Sequence, residues 1–278
     1  MIFNLVSGGG KPKITYTGAH TTEDYTADGK AYTLYKLTGS GTLSVKGRAK
    51  GVGVWLCGGG ANGTTGNTNS DATRCLGGAG AYCAQLDSTT LKGDYVVTIG
   101  AAQGATSFGS LLSVAAVSGK SGGTGGGGAG GYSYIDGNDL IRVAYANQGT
   151  GDGLSKIPFG DATAFQPHCA GGGAGGFYTP NNTAGGNHYT GGAGGTNGGS
   201  GAVSVYTSSS SIDGGAGGNK GGGRGGSATV NTSATSGGSA SYYGSGGGGG
   251  GYDGSSYGAD YGSGGAGYQG IVYLRVPV

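Results

Sequence analysis

The chain of 278 residues has little charge and no long apolar run. Charged residues make up 10% of it, the net charge is +2 and no basic run occurs, so the electrostatic footprint of a nucleic-acid-binding protein is missing. No apolar stretch approaches the roughly 18 residues of a membrane-spanning helix. Residues 1–6 have neither the charged start nor the apolar length of a signal peptide. We expect synthesis in a cytoplasm, no membrane insertion and no nucleic-acid partner.

Cysteine and histidine are also scarce. The four cysteines have no C-x-x-C spacing, and free buried thiols are favoured over disulfides; they are Cys57, Cys75, Cys83 and Cys169. The three histidines are scattered, and only His168 has a cysteine beside it, which is too few ligands for a zinc site. We predict no metal and no cofactor.

Catalytic motifs occur by chance in so much glycine, and each fails on its context. Gly119-Lys120-Ser121 resembles the end of a phosphate-binding loop, but Val114 stands where the first glycine belongs. Residues 125–130 fit G-x-G-x-x-G without a βαβ unit around them. Residues 254–258 fit G-x-S-x-G without the strand and helix that a nucleophile elbow requires. The protein is predicted not to be an enzyme.

Glycine is abundant instead, with 75 residues, of which 52 follow residue 120. It tends to return at every third position in six runs, 122–131, 171–176, 191–195, 214–226, 246–251 and 262–270. Three residues per turn is the period of a polyproline II helix, which makes no internal hydrogen bonds. Its backbone groups must bond to neighbours or water, and only glycine lets neighbouring chains approach closely. The runs predict a bundle of polyglycine II helices.

β-forming residues alternate in the first 120 residues and return at the C-terminus. Residues 33–38 and 42–45, joined by Gly39-Ser40-Gly41, predict a β-hairpin or a bulged strand. Residues 52–57, which include the only tryptophan as a core anchor, predict a buried strand. Residues 270–276 predict a closing strand that pairs with strands of the front half. No apolar set repeats at the helical period, so essentially no α-helix is expected.

The predicted fold class is therefore all-β, a β-sandwich of jelly-roll or TNF-like type with a glycine-rich insertion. Residues 1–30 are predicted as an attachment arm or an edge strand. Residues 31–120 with 268–278 form the sandwich, and residues 121–267 form the polyglycine II bundle with exposed loops. If successive runs cross the bundle antiparallel, alternate connections emerge at the same end.

The loops between the runs are rich in Ser, Thr, Asn and Tyr, a composition that resembles a binding paratope. Tyrosine supplies rigid contact area, while Ser and Asn supply adaptable hydrogen bonds. The alternative for Tyr132 and Tyr252, which follow glycine runs, is that they cap the bundle against water. The candidate receptor-binding residues are Tyr178, Asn181, Asn182, His188, Tyr189, Tyr206, Tyr242, Tyr243, Tyr257 and Tyr261.

Several segments of this sequence resemble the glycine-rich domain of bacteriophage tail proteins: LTGSGTLSV (37–45), VWLCGGG (54–60), YVVTIG (95–100), TSFG (106–109) and GYQGIV (267–272). The glycine runs are similar to those of phage fibre-tip adhesins, whose polyglycine II helices stack into a sandwich with host-binding distal loops. The order of strand, glycine run and closing strand is also similar to the glycine-rich domain of anaplastic lymphoma kinase. That second likeness supports the architecture and not the function.

The resemblance implies a receptor-binding protein of a phage or prophage tail tip or fibre, located on the virion. It would display its Tyr/Ser/Asn loops to a host cell-surface glycan or protein, with other virion tail or fibre proteins as partners and a homotrimer as the expected assembly. The alternative is a purely structural virion component, in a baseplate, tail tip or capsid fibre, that binds only other virion proteins. A secreted ligand-binding glycine-rich domain of cellular origin ranks third.

Overall fold

The computed structural model describes residues 11–65, 77–117, 157–166, 168–173, 175, 177–178, 189–190, 203–204, 211–212, 221–229, 233–253 and 260–278. Its strands are β1 (Lys13–Tyr16), β2 (His20–Ala27), β3 (Lys30–Leu37), β4 (Gly41–Cys57), β5 (Cys83–Thr98), β6 (Thr106–Phe108), β7 (Leu112–Val114), β8 (Phe177–Tyr178), β9 (Tyr189–Thr190), β10 (Val203–Ser204), β11 (Ser211–Ile212), β12 (Ala228–Thr229), β13 (Ser233–Ala234), β14 (Tyr252–Asp253), β15 (Asp260–Tyr261) and β16 (Ile271–Pro277). The prediction of an all-β fold is confirmed, since these ranges contain no α-helix. In the same ranges no helix could cross a membrane. The predicted glycine runs 122–131 and 191–195 lie outside the described residues.

Eight strands form one antiparallel sheet in the order β2-β3-β16-β4-β5-β6-β7, with β1 also paired to β4. The closing strand β16 lies between β3 and β4, where Val272 is opposite both Leu37 and Leu56. The prediction that the last strand pairs with the front half is confirmed. The predicted hairpin of residues 33–45 is wrong, because β16 separates its two strands. The turn after β3 instead bonds to Ala19, whose carbonyl oxygen accepts from the amide of Gly39 at 3.1 Å.

The sheet folds over its own hydrophobic core. β4 and β5 are 17 and 16 residues long, and their pairing register shifts three times between Val45 and Val54. Gly47 has a φ of 90° at this irregularity, a value that few residues other than glycine adopt. Leu43 from one half of β4 and Leu56 from the other belong to one buried cluster. The two halves of the sheet therefore face each other as the layers of a sandwich, whose jelly-roll type stays a prediction.

Side chains that alternate with this core point to the other face of the sheet. Trp55, Ile271 and Tyr273 are buried there in a second cluster, together with Phe165 from the segment that follows the 3₁₀ turn Pro158–Gly160. Trp55 is 3% exposed, so its predicted role as a core anchor is confirmed. This second core joins the sandwich to the glycine-rich part of the chain, and we call it the junction core.

The sheet begins earlier than the predicted boundary at residue 30. β1 pairs with β4, and β2 pairs with β3 at the edge of the sheet. Residues 13–27 thus belong to the sheet, and β2 fits the edge-strand alternative for this part of the chain. The turn between β2 and β3 is Asp28-Gly29, with φ of 50° and 70°. Asp-Gly between two alternating strands is a strong local hairpin signal.

Residues 246–251 form the centre of the glycine bundle. Every third amide donates to the same neighbouring segment: those of Gly246 and Gly249 bond to Ala170 and Gly173 at 2.8 and 2.9 Å. The amides of residues 247 and 250 bond to the segment 61–64, and those of residues 248 and 251 bond to the segment 235–238. The pairing therefore repeats every three residues, as in a polyglycine II helix.

The carbonyl groups of this central segment bond to three further segments. The oxygens of Gly246 and Gly249 accept from Gly223 and Gly226, that of Gly247 accepts from Gly78, and that of Gly248 accepts from Gly265. The central segment thus has six hydrogen-bonded neighbours. Its glycines have almost no free space, since a Cβ atom added to Gly247 would lie well within 3.0 Å of the oxygen of Gly265. The backbone itself fills the interior of the bundle.

Candidate functional site at the loop-bearing end of the glycine bundle

The order of the hydrogen bonds gives each segment a direction. Partner numbers rise along the central segment for residues 61–64, 170–173 and 223–226, so these run parallel to it. They fall for residues 78–81, 235–238 and 262–265, which run antiparallel. The chain therefore leaves the bundle after residues 64, 226 and 251 at one end. The predicted runs 171–176, 214–226 and 246–251 run in the same direction where they are described, because the antiparallel segment 235–238 crosses the bundle between the last two. The expected antiparallel crossing of successive runs is therefore not observed for these three. We call the end that the chain reaches after residues 64, 226 and 251 the loop-bearing end.

Short strands extend the backbone at the loop-bearing end. β14 follows the central segment directly and pairs with β8 in parallel and with β15 antiparallel. β12 follows residue 227 and pairs with β13, which returns to the bundle at residue 235. These ladders hold the start and the end of two connections side by side. The connections are consequently anchored on the bundle rather than attached by single strands.

The tyrosines of β14 and β15 face each other on this end. Tyr252 and Tyr261 are register partners, and their rings stack in parallel with centroids 6.4 Å apart. Tyr252 is 7% exposed, which confirms the capping alternative for that residue. Tyr261 is 52% exposed and lies outermost in the pair. The exposed ring of Tyr261 therefore packs on the buried ring of Tyr252.

Apart from Tyr242 and Tyr243, the remaining candidate residues form two groups, one in short strands and one outside the described residues. Tyr178 lies in β8 beside β14, at the loop-bearing end, and Tyr189 lies in β9, which pairs with β10. The other group lies outside the described residues and comprises Asn181, Asn182, His188, Tyr206 and Tyr257. The structure therefore brings Tyr178 and Tyr261 to one end of the bundle.

Tyr242 and Tyr243 lie at the opposite end, against the sandwich. They form the turn between the antiparallel segment 235–240 and the central segment, and both are half-buried. Tyr242 is 4.8 Å from the ring of His168, and Tyr243 stacks on the same ring at 6.2 Å. The structure places both residues in this half-buried turn and not in the exposed receptor-binding loop that was predicted. The signal was available, since only residues 241–244 connect these two segments, too few for a displayed loop.

His168 is the centre of the junction core, and no local sequence pattern indicates its partners. Its Nδ1 lies 2.7 Å from the carbonyl oxygen of Gln166, to which it donates, so Nε2 accepts from the hydroxyl of Tyr273 at 3.1 Å. Burial lowers the pKa of His168 to about 4 and raises the pKa of Tyr273. Both groups are therefore neutral near pH 7. Their hydrogen bond connects the bundle to β16. Because both side chains are buried, they are not placed to transfer a proton to a ligand.

Two cysteines of the junction core pack closely against a glycine. Cys57 is a buried free thiol, as predicted, and Cys169 is buried beside it. A Cβ atom on Gly244 would lie 3.0 Å from the Sγ of Cys57 and 2.7 Å from that of Cys169. Gly244 therefore fits between the two sulfur atoms. Across the described part of the chain, no three His, Cys, Asp or Glu side chains are grouped as metal ligands.

Comparison of the whole chain with protein-family models, with curated proteins and with solved structures finds no match.

Proposed function

We propose that this protein is a non-enzymatic adhesin of a bacteriophage tail tip or fibre, which presents the loop-bearing end to a glycan or protein on the host surface. The observation that supports the proposal is the direction of the bundle segments. Four segments run towards the same end, namely 61–64, 170–173, 223–226 and 246–251, so the connections that follow them start there. Such an arrangement concentrates the connections between segments at one end of the bundle.

A rigid support favours binding by such loops. The central segment is hydrogen-bonded on all sides by six neighbours, and the connections start from short ladders. Part of the entropy that a loop loses on binding is then lost already on folding, which favours affinity. The Tyr, Ser and Asn composition of the connections supplies rigid aromatic contact and adaptable hydrogen bonds.

The end of the sandwich that lies away from the glycine bundle is positively charged, which suits attachment to another protein. Six cationic residues surround the irregular part of β4, and we call them the basic tip: Lys11, Lys13, Lys46, Arg48, Lys50 and Lys92. Lys13 and Lys46 are direct cross-strand neighbours, an arrangement of like charges that costs stability. The only ion pair among the described residues is Lys36 with Glu23, so the basic tip keeps its charge for a partner. An acidic surface of another virion protein fits it.

Cell labelling by the purified protein tests the proposal. We expect the fluorescently labelled chain, displayed on beads for multivalency, to label a subset of a panel of bacterial strains. Tyr261→Ala should reduce labelling at least about tenfold, because this aromatic ring is exposed at the loop-bearing end. Tyr268→Ala is the matched control, since Tyr268 is 38% exposed but lies at the sandwich end, beside Tyr243.

A second variant separates receptor binding from charge-driven adhesion. Replacing Lys46, Arg48 and Lys50 by glutamate cancels the positive charge of the basic tip and should leave cell labelling unchanged. Labelling that follows the basic tip and ignores Tyr261 would refute the adhesin proposal. Folded, multivalent protein that labels no strain would favour the purely structural virion component instead, for which the basic tip is the docking surface.

A further inference from the structure

A cleft of about 510 Å³ opens on the outer face of the sandwich, away from the loop-bearing end. It lies between the end of β2 and the 3₁₀ turn Pro158–Gly160, with Arg275 of β16 in its wall. Its size is that of a small-molecule pocket, and its lining mixes charged, polar and aromatic side chains. None of these residues takes part in the adhesin surface proposed above.

Arg275 is held in a fixed position in this cleft. Its register partner on β4 is Gly53, and a Cβ atom at Gly53 would lie 2.6 Å from the Nε of Arg275. The glycine therefore leaves room for the arginine to lie across β4. The guanidinium carbon is 4.5 Å from the ring centre of Phe159, and one nitrogen donates to the carbonyl oxygen of Asp87 at 3.5 Å. A guanidinium has five N–H donors, so most remain for a ligand.

Asp161 supplies a fixed acceptor in the same cleft. One carboxylate oxygen accepts from the hydroxyl and amide of Thr163 and from the amide of Ala164. The other oxygen accepts only from the hydroxyl of Tyr25, at 2.7 Å. These hydrogen bonds lower the pKa of Asp161 to about 2; the bond from the Thr163 side chain has the largest effect and the bond from Tyr25 the second largest. The second oxygen can accept another hydrogen bond from a ligand.

The backbone at the cleft adopts a conformation that needs support from its surroundings. Phe159 has a φ of 56°, in the left-handed region that a bulky residue rarely adopts. This conformation directs the ring towards Arg275 and Phe165, with Phe165 at 6.0 Å. Strained residues of this kind concentrate at ligand sites. The aromatic wall of the cleft is therefore set before any ligand arrives.

The charges in the cleft select the class of ligand. The lining contains both signs of charge, with the carboxylates of Asp28 and Asp161 and the guanidinium of Arg275, so an anion or a cation would meet a like charge as well as an opposite one. Fixed charged donors and acceptors beside apolar surface suit vicinal hydroxyl groups and the C–H face of a ring. We propose that the cleft binds a neutral saccharide unit, with Arg275 donating to ring hydroxyls and Asp161 accepting from one. This site is independent of the loop-bearing end.

Saturation-transfer-difference NMR on the whole protein tests this site. The probes are methyl glycosides of glucose, galactose and mannose and N-acetylglucosamine, with glucuronate and glucosamine as charged counterparts. We expect at least one neutral probe to bind in the millimolar range and both charged counterparts to bind more weakly. Arg275→Gln should weaken binding at least about tenfold. Arg48→Gln, a change of the same kind on an exposed arginine of the same sheet, should leave it unchanged.

Two further variants protect the test against a change in folding. Asp161→Asn removes the charged acceptor, and Gly53→Ser displaces the guanidinium while keeping its charge; both should weaken binding in protein whose melting temperature is little changed. Tyr261→Ala should have no effect on sugar binding, which separates this site from the adhesin surface. The proposal is overturned if no neutral probe binds, if glucuronate binds best, or if Arg275→Gln binds like the wild type.

Discussion

In the sandwich core, fully buried side chains such as Leu56, Leu274 and Phe108 fill the space between two sheet layers. In the glycine bundle, the space between residues 246–251 and their neighbours is filled by carbonyl and amide groups of the backbone. The first region gains stability from apolar area removed from water, and the second from hydrogen bonds in a close-packed lattice. Removing buried methyl groups should therefore destabilise the sandwich core, while adding a methyl group should destabilise the glycine bundle.

The largest expected effect is that of a single added methyl group at the centre of the bundle. In Gly247→Ala the new Cβ would overlap the carbonyl oxygen of Gly265, and neither backbone can move without breaking bonds to further segments. We expect a loss of more than about 3 kcal/mol, above the usual range for overpacked side chains because the obstacle is backbone. Thermal unfolding followed by circular dichroism measures it.

Gly238→Ala is the matched control within the bundle. Gly238 belongs to an outer segment and is exposed, and its nearest contact for a Cβ atom is 3.3 Å, to the amide nitrogen of Arg224. It should cost less than about 1 kcal/mol. Equal tolerance of the two substitutions would contradict the close-packed lattice.

The second prediction concerns the sandwich core. Leu274→Ala removes a fully buried side chain of β16 and leaves a cavity between the layers. We expect a loss of about 3 kcal/mol, within the range for such truncations. Val96→Ala, at a residue that is 66% exposed on β5, should change stability by less than about 0.5 kcal/mol. Urea denaturation gives both values, and a Leu274→Ala effect no larger than that of Val96→Ala would contradict the assignment of this core.

The third prediction concerns the junction between the two regions. Burial lowers the pKa of His168 from 6.5 to about 4, so between these values the unfolded chain binds a proton that the folded chain does not. Stability is therefore complete above pH 6.5 and falls as the pH drops towards 4. Between pH 7 and about pH 5 the loss should be about 2 kcal/mol.

Melting temperatures across this pH range measure the effect, with two variants for comparison. His168→Gln cannot take up the proton and should show a flatter dependence, even if its stability is lower throughout. His20→Gln, at an exposed histidine, should follow the wild type. A wild-type curve as flat as that of His168→Gln would mean that the imidazole is not buried as described.

Local patterns predict the parts of this fold that depend on near neighbours. The apolar run at residues 52–57 and the closing strand β16 follow from β-forming residues, and the period of three predicts the bundle. The position of β16 between β3 and β4 depends on residues about 200 positions apart, for which the sequence has no local signal. His168 meets Tyr273 across 105 residues for the same reason.

The candidate site was predictable only in outline. The composition of the connections indicated binding loops, but composition does not say at which end of the bundle a connection lies. Hydrogen-bond direction decides this, and it places Tyr261 at the loop-bearing end and Tyr242 in the junction core. The Arg275 cleft was missed because it combines a β-turn, a 3₁₀ turn and the C-terminal strand.

Apart from the control substitutions, the smallest expected loss of stability is that of Tyr261→Ala, which we compare with a tyrosine substitution at the other end of the bundle. Tyr261 is 52% exposed and its ring stacks on Tyr252, so Tyr261→Ala should lower stability by less than about 1 kcal/mol. Tyr243→Ala removes a half-buried ring that stacks on His168 and contacts Tyr268, so it should cost about 2 kcal/mol. Thermal unfolding of the two variants side by side measures the difference. If Tyr261→Ala is the more damaging of the two, then the loop-bearing end contributes more to the stability of the bundle than the junction core does. That result would contradict the proposal that the tyrosine at this end serves binding.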